Sequence, residues 1–507
     1  MSSDIDLGRR LDAAEQKQPH EVGETKLSDA ESAARQRRLR AVYCKLDLRI
    51  IPAFWVLYFL CSAVRASVGL AQTMNISAGH DLSTKLHLSP HQISTGLALF
   101  YASYVVLEVP SNLIMSKLQP HVWLARIVIS VGVIGTGMVG MKNAAGFYVL
   151  RLFLGAVEAG MWPGMSFYLT LFYPPQRMAK RVGWYFTASQ LSAAVVGLVS
   201  AGFQKMDGDG GLVGFQWMFL VWGLVTLVVG FTLLWWLPDR PTPPGESPKE
   251  GLLSRYLPTN PPALTGEDAR LHYEDLSSAY HNIDWTWHDF LKVLLDWRFW
   301  PLLVMYFGVV GVGNGVASYG TVILSAINPS FNGITLSLLY APIWLCDLCG
   351  ILLVTPISDR FHKQRALFFT IPTLLQIAGL VIATYSGDST GQKWGRYVGL
   401  LIVGFGLGPT VPITMAWTAE VFQKRHGEIG VAAASALVSG LGNCGSILTN
   451  YALYEGWSAD EESSPPYSKS NWVMVAILLA SIAASGAMTL LLRVTGGRRK
   501  VSESSTD

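Results

Sequence analysis

Long apolar runs decide what this chain can fold into. Twelve of them lie at roughly 50–71, 92–115, 123–141, 146–172, 184–203, 216–237, 299–320, 335–357, 366–385, 396–418, 430–452 and 472–493. An α-helix rises ~1.5 Å per residue, so about 20 apolar residues cross the ~30 Å hydrocarbon core of a bilayer. The pattern predicts an all-α integral membrane protein with twelve transmembrane helices. Composition agrees: 14% of the 507 residues are charged, where a soluble domain carries about 25%. A formal net charge of +3 gives no reason to expect a nucleic-acid partner. The five cysteines lie mostly within apolar runs and suggest no disulfide framework. Cys346 and Cys349 form a CxxC inside such a run, where small buried thiols are the ordinary reading. The first forty residues are polar and end in a basic run, so no cleavable signal is expected and insertion starts from the first apolar run.

Loop charges set the orientation. The N-terminal tail ends in Arg35, Arg37, Arg38 and Arg40, ahead of Lys45 and Arg49. The even-numbered loops carry Lys117 and Arg126, then Arg177, Lys180 and Arg181, then Arg360, Lys363 and Arg365, then Lys424 and Arg425. The C-terminal tail carries Arg498, Arg499 and Lys500, and the odd-numbered loops are poor in base. The positive-inside rule therefore predicts that both tails are cytoplasmic. The loop at 238–296 is rich in proline and splits the chain into six spans plus six. Its end, from Trp285 to Trp300, reads as an amphipathic helix on the inner membrane face, with a soluble helix packed on the protein as the alternative. The expected organisation is a tail (1–45), a six-helix bundle (46–237), the linker with its interfacial helix (238–296), a second six-helix bundle (297–493) and a tail (494–507). Two related halves holding a substrate near the midplane between them are a recurring transporter plan. Asn75-Ile76-Ser77 is a glycosylation sequon in the first outward loop.

Four charged residues interrupt the apolar runs: Arg65, Arg151, Glu158 and Asp347. An ionised group at bilayer depth costs roughly 3 kcal/mol or more, so it usually faces a protein interior or a water-filled path. Arg65 and Arg151 fall at similar depth in the outer third. Glu158 follows Arg151 by two helical turns on the same face, near the midplane. The plain alternatives are an Arg65 that snorkels to the headgroups and a fixed Arg151–Glu158 ion pair. Asp347 sits about halfway along the eighth span and should be protonated, paired or in a cavity.

Several tracts carry a likeness to a known family. The second span has Phe100-Tyr101-Ala102-Ser103-Tyr104, then Glu108-Val109-Pro110-Ser111-Asn112. The fourth runs from Arg151 through Gly155, Glu158, Gly160, Pro163 and Gly164, and is followed by Tyr173-Pro174, Arg177 and Ala179-Lys180-Arg181. The sixth closes with Leu237-Pro238-Asp239-Arg240-Pro241 and the eighth ends in Ser358-Asp359-Arg360. The chain resembles the major facilitator superfamily. Within it, the chain resembles the anion:cation symporter family, and there the fungal allantoate, nicotinate and pantothenate permease branch. The likeness covers most of 41–493 and is most specific over 100–181.

The resemblance implies a 6+6 fold with pseudo-twofold related halves, in which the first and fourth spans line a central cavity. It makes Arg65 the candidate grip for an anionic substrate, because guanidinium matches carboxylate geometry. Glu158 is the candidate proton carrier, with Arg151 beside it to tune the carboxyl. Tyr101, Tyr104, Gln190, Asn314, Trp417 and Asn443 are further candidates for the cavity. Around Asn314, the glycines 311, 313 and 315 would let the seventh helix unwind. Glu108, Asp359, Arg360 and Glu420 are expected to gate or latch at the inner ends of their spans. The chain departs from the family at Val64, where an Asp usually precedes the arginine. It departs again at Trp417-Thr418-Ala419-Glu420, where a double Asn is usual. Asp347 then becomes a candidate titrating site that partly replaces what position 64 lacks.

The expected activity is proton-coupled uptake of a small organic anion, carboxylate or vitamin-like, by a monomer working through alternating access in the plasma membrane. No ATP-binding signature or catalytic constellation points to an enzyme, and no cofactor or metal is expected. An exporter or facilitator of a secondary metabolite, and a non-transporting nutrient sensor, are the alternatives.

Overall fold

The structure, a computed structural model, describes residues 29–241, 262–279, 287–361, 364–386, 390–461, 463 and 465–504. The chain divides into two units, Met1–Lys45 and Leu46–Asp507. The first shows helix over residues 29–45, and the second holds all the other elements. Every regular element among the described residues is helical.

The first half contains α1 (Asp29–Ala71), the short α2 (Leu82–Leu86), α3 (Pro90–Lys117), α4 (Pro120–Gly137), α5 (Ala144–Glu158), α6 (Met161–Thr170), α7 (Pro175–Gln204) and α8 (Gly214–Trp236). The linker region shows α9 (Gly266–Ala279) and α10 (Trp287–Leu295). The second half contains α11 (Phe299–Ile327), α12 (Gly333–Arg360), α13 (Arg365–Tyr385), α14 (Thr390–Gly442), α15 (Cys444–Ala452), the single-turn α16 (Ser458–Glu461) and α17 (Ser468–Ser504). Local sequence starts these helices. Ser89 and Gln92 form a capping box ahead of α3, with Pro90 in its first turn. Asn143 and Asn332 cap α5 and α12 by accepting from Gly146 N and Thr335 N.

Eleven helices among the described residues are long and apolar enough to cross a membrane. The expected twelfth, at 430–452, is helical but interrupted at Asn443, where α14 ends and α15 begins. Neither the 430–442 part of α14 nor the 9-residue α15 reaches spanning length alone. The fourth span is also interrupted. Gly160 sits at φ 83°, a left-handed conformation open to glycine, and separates α5 from α6. The seventh helix differs from expectation in the opposite sense, for α11 runs unbroken past Asn314. Its glycines bring helices together instead. A Cβ at Gly315 would lie 2.8 Å from the Thr449 methyl, and one at Gly311 would lie 3.2 Å from Gly445 O.

The outward surface of the spans is apolar, as lipid requires: Val106, Val228 and Leu490 are all more than half exposed. The two halves meet where α7 packs on α12 and α15 packs on α3. Cross-half hydrogen bonds gather at the end away from the linker. Gln72 Nε2 donates to Ser318 O (2.8 Å), Thr321 Oγ1 to Gly69 O (3.2 Å), and Gln204 Nε2 to Ser337 Oγ (2.9 Å). Ser94 Oγ and Tyr319 Oη add another at 3.0 Å.

The linker is fastened to both halves: its start and α9 to the first, and α10 to α14 of the second. Arg49 donates to Trp236 O and Pro262 O (3.1 and 3.0 Å), and Tyr168 Oη donates to Pro238 O. The helix α9, which no sequence feature announced, is pinned by His272, whose Nε2 lies 2.7 Å from Phe172 O with the two rings stacked. The amphipathic helix expected from Trp285 to Trp300 is observed as α10; Trp285 lies outside the described residues. In α10, Val293 is buried while Leu291 and Leu295 face outward.

Candidate functional site

A cavity of about 180 Å³ lies between the halves. Its walls come from α1, α3, α5, α6 and α7 on one side and from α11, α12, α14 and the α14–α15 break on the other. Arg65, Tyr101, Tyr104, Arg151, Gln190, Asn314, Asp347 and Asn443 all line it. The sequence candidates from both halves thus converge on one space. Trp417 and Glu158 are buried but are not part of the lining.

The first-half wall is built around Arg65. Its Nη1 lies 3.3 Å from Glu158 Oε1, and its Nη2 donates to Ser62 Oγ at 3.2 Å. The arginine side chain keeps 25% exposure, while the Glu158 side chain has none. Glu158 is the last residue of α5, where the helix leaves carbonyls that repel a carboxylate. A cation is therefore needed there, and Arg65 supplies it. The alternative of a fixed Arg151–Glu158 ion pair is not what forms. Arg151 donates through Nε to Gly96 O (3.3 Å), lies 4.7 Å over the Phe100 ring, and keeps Nη1 buried without a hydrogen bond. The pairing differs because the span breaks just after Glu158 and α1 brings Arg65 up to it.

Val64, the departure from the family pattern, is buried and does not line the cavity. A Cβ at Gly135 of α4 would lie 3.1 Å from its Cγ1. Beneath Arg65, Tyr58, Trp162, Tyr185 and Phe186 pack ring against ring, with centroids 5.3–6.1 Å apart. Sequence reading passed over Tyr58, Trp162 and Phe186. The Gly160-x-x-Pro163 spacing marks the break that turns Trp162 toward the cavity.

The second-half wall is polar but mostly uncharged. Asn314 Oδ1 accepts from Tyr101 Oη across the halves (2.7 Å), and its Nδ2 donates to Ser446 Oγ. Asp347 Oδ2 accepts from Gln190 Nε2 at 3.5 Å, also across the halves. Asn443 caps the helix break and donates to Ser439 O.

The expected gating residues lie toward the linker end. Glu108 is buried, and its Oε1 accepts from Ser439 Oγ at 3.3 Å, tying α3 to α14 below the cavity. Asp359 pairs with Arg365 (2.8 Å), which also holds Glu420 (2.7 Å), all within the second half. Arg360 is exposed. At the opposite end, Asn75 adopts φ 51° and donates through Nδ2 to Gln204 O at 3.1 Å. The nitrogen that a glycan would need is therefore engaged in this conformation.

The Major Facilitator Superfamily profile matches residues 54–450. The chain belongs to that superfamily. Among superfamily relatives, Vitamin H transporter 1 of Schizosaccharomyces pombe is 46% identical over 96% of this chain and 86% of its own length. A putative tartrate transporter of Agrobacterium vitis is 35% identical over 39% of this chain and 42% of its own length. In fold, the chain is similar to a bacterial homologue of the human lysosomal transporter Spinster (TM-score 0.61, 15% identity, 88% of this chain and 96% of the other). It is also similar to the nucleoside transporter NupG (TM-score 0.59, 12% identity, 87% and 98%). This superfamily member is a multi-pass membrane transporter, not an enzyme.

Proposed function

We propose that this transporter takes up a small, vitamin-like organic anion together with protons, and that Arg65 grips the substrate carboxylate. The supporting observation is the Arg65–Glu158 pair, 3.3 Å apart, in which Arg65 lines the cavity partly open and Glu158 is enclosed and outside the lining. Without substrate, Glu158 is the counter-ion of Arg65. A substrate carboxylate competes for the same guanidinium, and two anions on one cation in an apolar site repel each other. A proton on Glu158 removes that conflict and frees Arg65 for a paired hydrogen bond to the substrate. Release of substrate then favours loss of the proton and return of the Arg65–Glu158 pair. Substrate and proton thus load together.

Asp347 is the second titrating carboxyl on this reading, placed on the opposite wall. Glu108 and the Asp359–Arg365 cluster hold the linker end while the halves rock. Loop charge makes the linker end cytoplasmic, with the opposite, hydrogen-bonded end outside. The protein works as a monomer at the plasma membrane. The identity to Vitamin H transporter 1 supports biotin as the first substrate to test.

The experiment is uptake of labelled biotin, and of a panel of other carboxylates, into vesicles carrying the purified protein. An inside-alkaline pH gradient should drive accumulation, and collapsing the gradient should end it. Equal uptake with and without the gradient would remove proton coupling. Failure of every carboxylate to enter or to compete would remove the anion reading.

A further inference from the structure

We infer that the cavity holds a second substrate subsite besides Arg65, made where Asp347 of the second half meets Gln190 of the first, which recognises a pair of neutral N–H donors such as a ureido or cyclic amide group. The inference rests on the anion reading above and adds the chemistry of the substrate's other end. Two oxygens carry it. Asp347 Oδ1 and Gln190 Oε1 are buried and accept no hydrogen bond, although both residues line the cavity. An acceptor shut away from water without a donor is costly, and such groups in native proteins call for an explanation. The contact between the two side chains does not supply one. It uses the other atoms, Gln190 Nε2 and Asp347 Oδ2, and is long at 3.5 Å. Rotating the Gln190 amide would set its oxygen against a carboxylate, so the donor end stays toward Asp347 and the acceptor end stays free.

Packing fixes the carboxylate in place. A Cβ at Gly408 on α14 would fall 2.7 Å from Asp347 Oδ1 and 2.1 Å from Asp347 O, so the bare glycine lets the acid seat against that helix. No ion pair to Asp347 exists among the described residues, and the first-half cation Arg65 is held by Glu158. The cavity is therefore bipolar. Arg65 offers a guanidinium, and the Gln190–Asp347 contact between the halves offers two acceptors in excess. An acid whose far end carries two adjacent N–H groups satisfies both at once. A plain carboxylic acid leaves the two acceptors unpaired. Gln190 comes from α7 and Asp347 from α12, so a ligand between them also bridges the two halves.

The test measures competition for bound labelled biotin on the purified protein, which separates recognition from coupling. Competitors are desthiobiotin (carboxylate and ureido ring), octanoate (carboxylate alone) and 6-aminohexanoate (carboxylate and ammonium). Wild-type protein should prefer desthiobiotin to octanoate at least tenfold. Gln190→Leu and Asp347→Asn should each shrink that preference to threefold or less while octanoate still competes. Gln190→Leu serves as the independent variant if loss of Asp347 impairs folding. Equal competition by desthiobiotin and octanoate in the wild type overturns the subsite and leaves the anion reading intact. So does a preference that survives both substitutions, or tighter binding of 6-aminohexanoate than of desthiobiotin. Absence of competition by any carboxylate overturns the anion reading, and the subsite falls with it.

Discussion

The two walls of the cavity use different chemistry on similar frames. In the first half, Arg65, Arg151 and Glu158 bring charge into the membrane, and the fourth span breaks at Gly160 immediately beyond the acid. In the second half, the corresponding face is neutral apart from Asp347; glycines bring α11 against α15 and α12 against α14 there, as Gly132, Gly155 and Gly223 do between helices of the first half. Charge is expensive in lipid and has to be held by fixed partners. On the proposed reading, gripping and proton handling fall to the first half, and the second half supplies a mostly neutral wall.

The largest effect should follow from removing the grip. Arg65→Ala takes away a paired, charge-assisted contact worth roughly 1.5–3 kcal/mol per hydrogen bond. It also leaves Glu158 enclosed without a counter-ion. Initial uptake of a carboxylate should fall about 100-fold or more by the same energies, with partial recovery in Arg65→Lys. Asn314→Ala on the opposite wall should cost far less. Equal losses at the two positions would abolish the division of labour.

Glu158→Gln comes next. The variant keeps a polar side chain beside Arg65 but cannot carry a proton. Accumulation driven by an imposed pH gradient should vanish, while exchange of internal for external substrate continues. Gradient-driven accumulation in the variant would move the proton site elsewhere, with Asp347 the first place to look.

A smaller effect is expected from packing in the second half. Gly408→Ala places a methyl 2.1 Å from Asp347 O, so α12 and α14 must separate. Overpacking of this kind costs roughly 1–3 kcal/mol. Thermal unfolding of the purified variant should move down, whereas Gly313→Ala, whose nearest neighbour would be Leu407 Cδ2 at 3.7 Å, should leave it unchanged. Equal shifts would show that close approach at Gly408 has no special role.

How much of this was legible in the sequence depends on the kind of signal. The spans were, because apolar length reports directly on bilayer thickness. Eight polar or charged candidates line one cavity, while Glu158 and Trp417 do not, and polarity inside apolar runs is rare enough to mark an interior face. The partners were not legible. Two turns on one helix face made Arg151 the natural companion of Glu158, but a break one residue beyond the acid and a separate helix gave it Arg65. Glycines near Asn314 read as a loosened helix because spacing alone does not distinguish flexibility from close approach. The break at Asn443 left no mark in an otherwise continuous apolar run. The docking of α9 is a long-range contact between a linker and the end of α6, and no local pattern encodes it.

That docking gives the smallest predicted effect, and it bears on whether the linker is part of the moving machinery. His272 is buried against Phe172, and burial holds its imidazole below the ordinary value of 6.5, although the bond to Phe172 O and the charge of Asp275 act the other way. The docked helix thus binds fewer protons than the undocked one. Docking is complete above about pH 6.5 and weakens as pH falls through that value. Amide exchange over 266–279, corrected for its intrinsic rate, should quicken between about pH 7.5 and 5.5 in the wild type by this linkage. His272→Gln can still donate to Phe172 O but has no proton to gain, so its exchange should be flat over the same range. Transport coupling in His272→Gln should match the wild type, because α9 is docked on the end of α6 within the first half alone. A coupling defect as large as that of Glu158→Gln would instead make the linker part of the moving machinery.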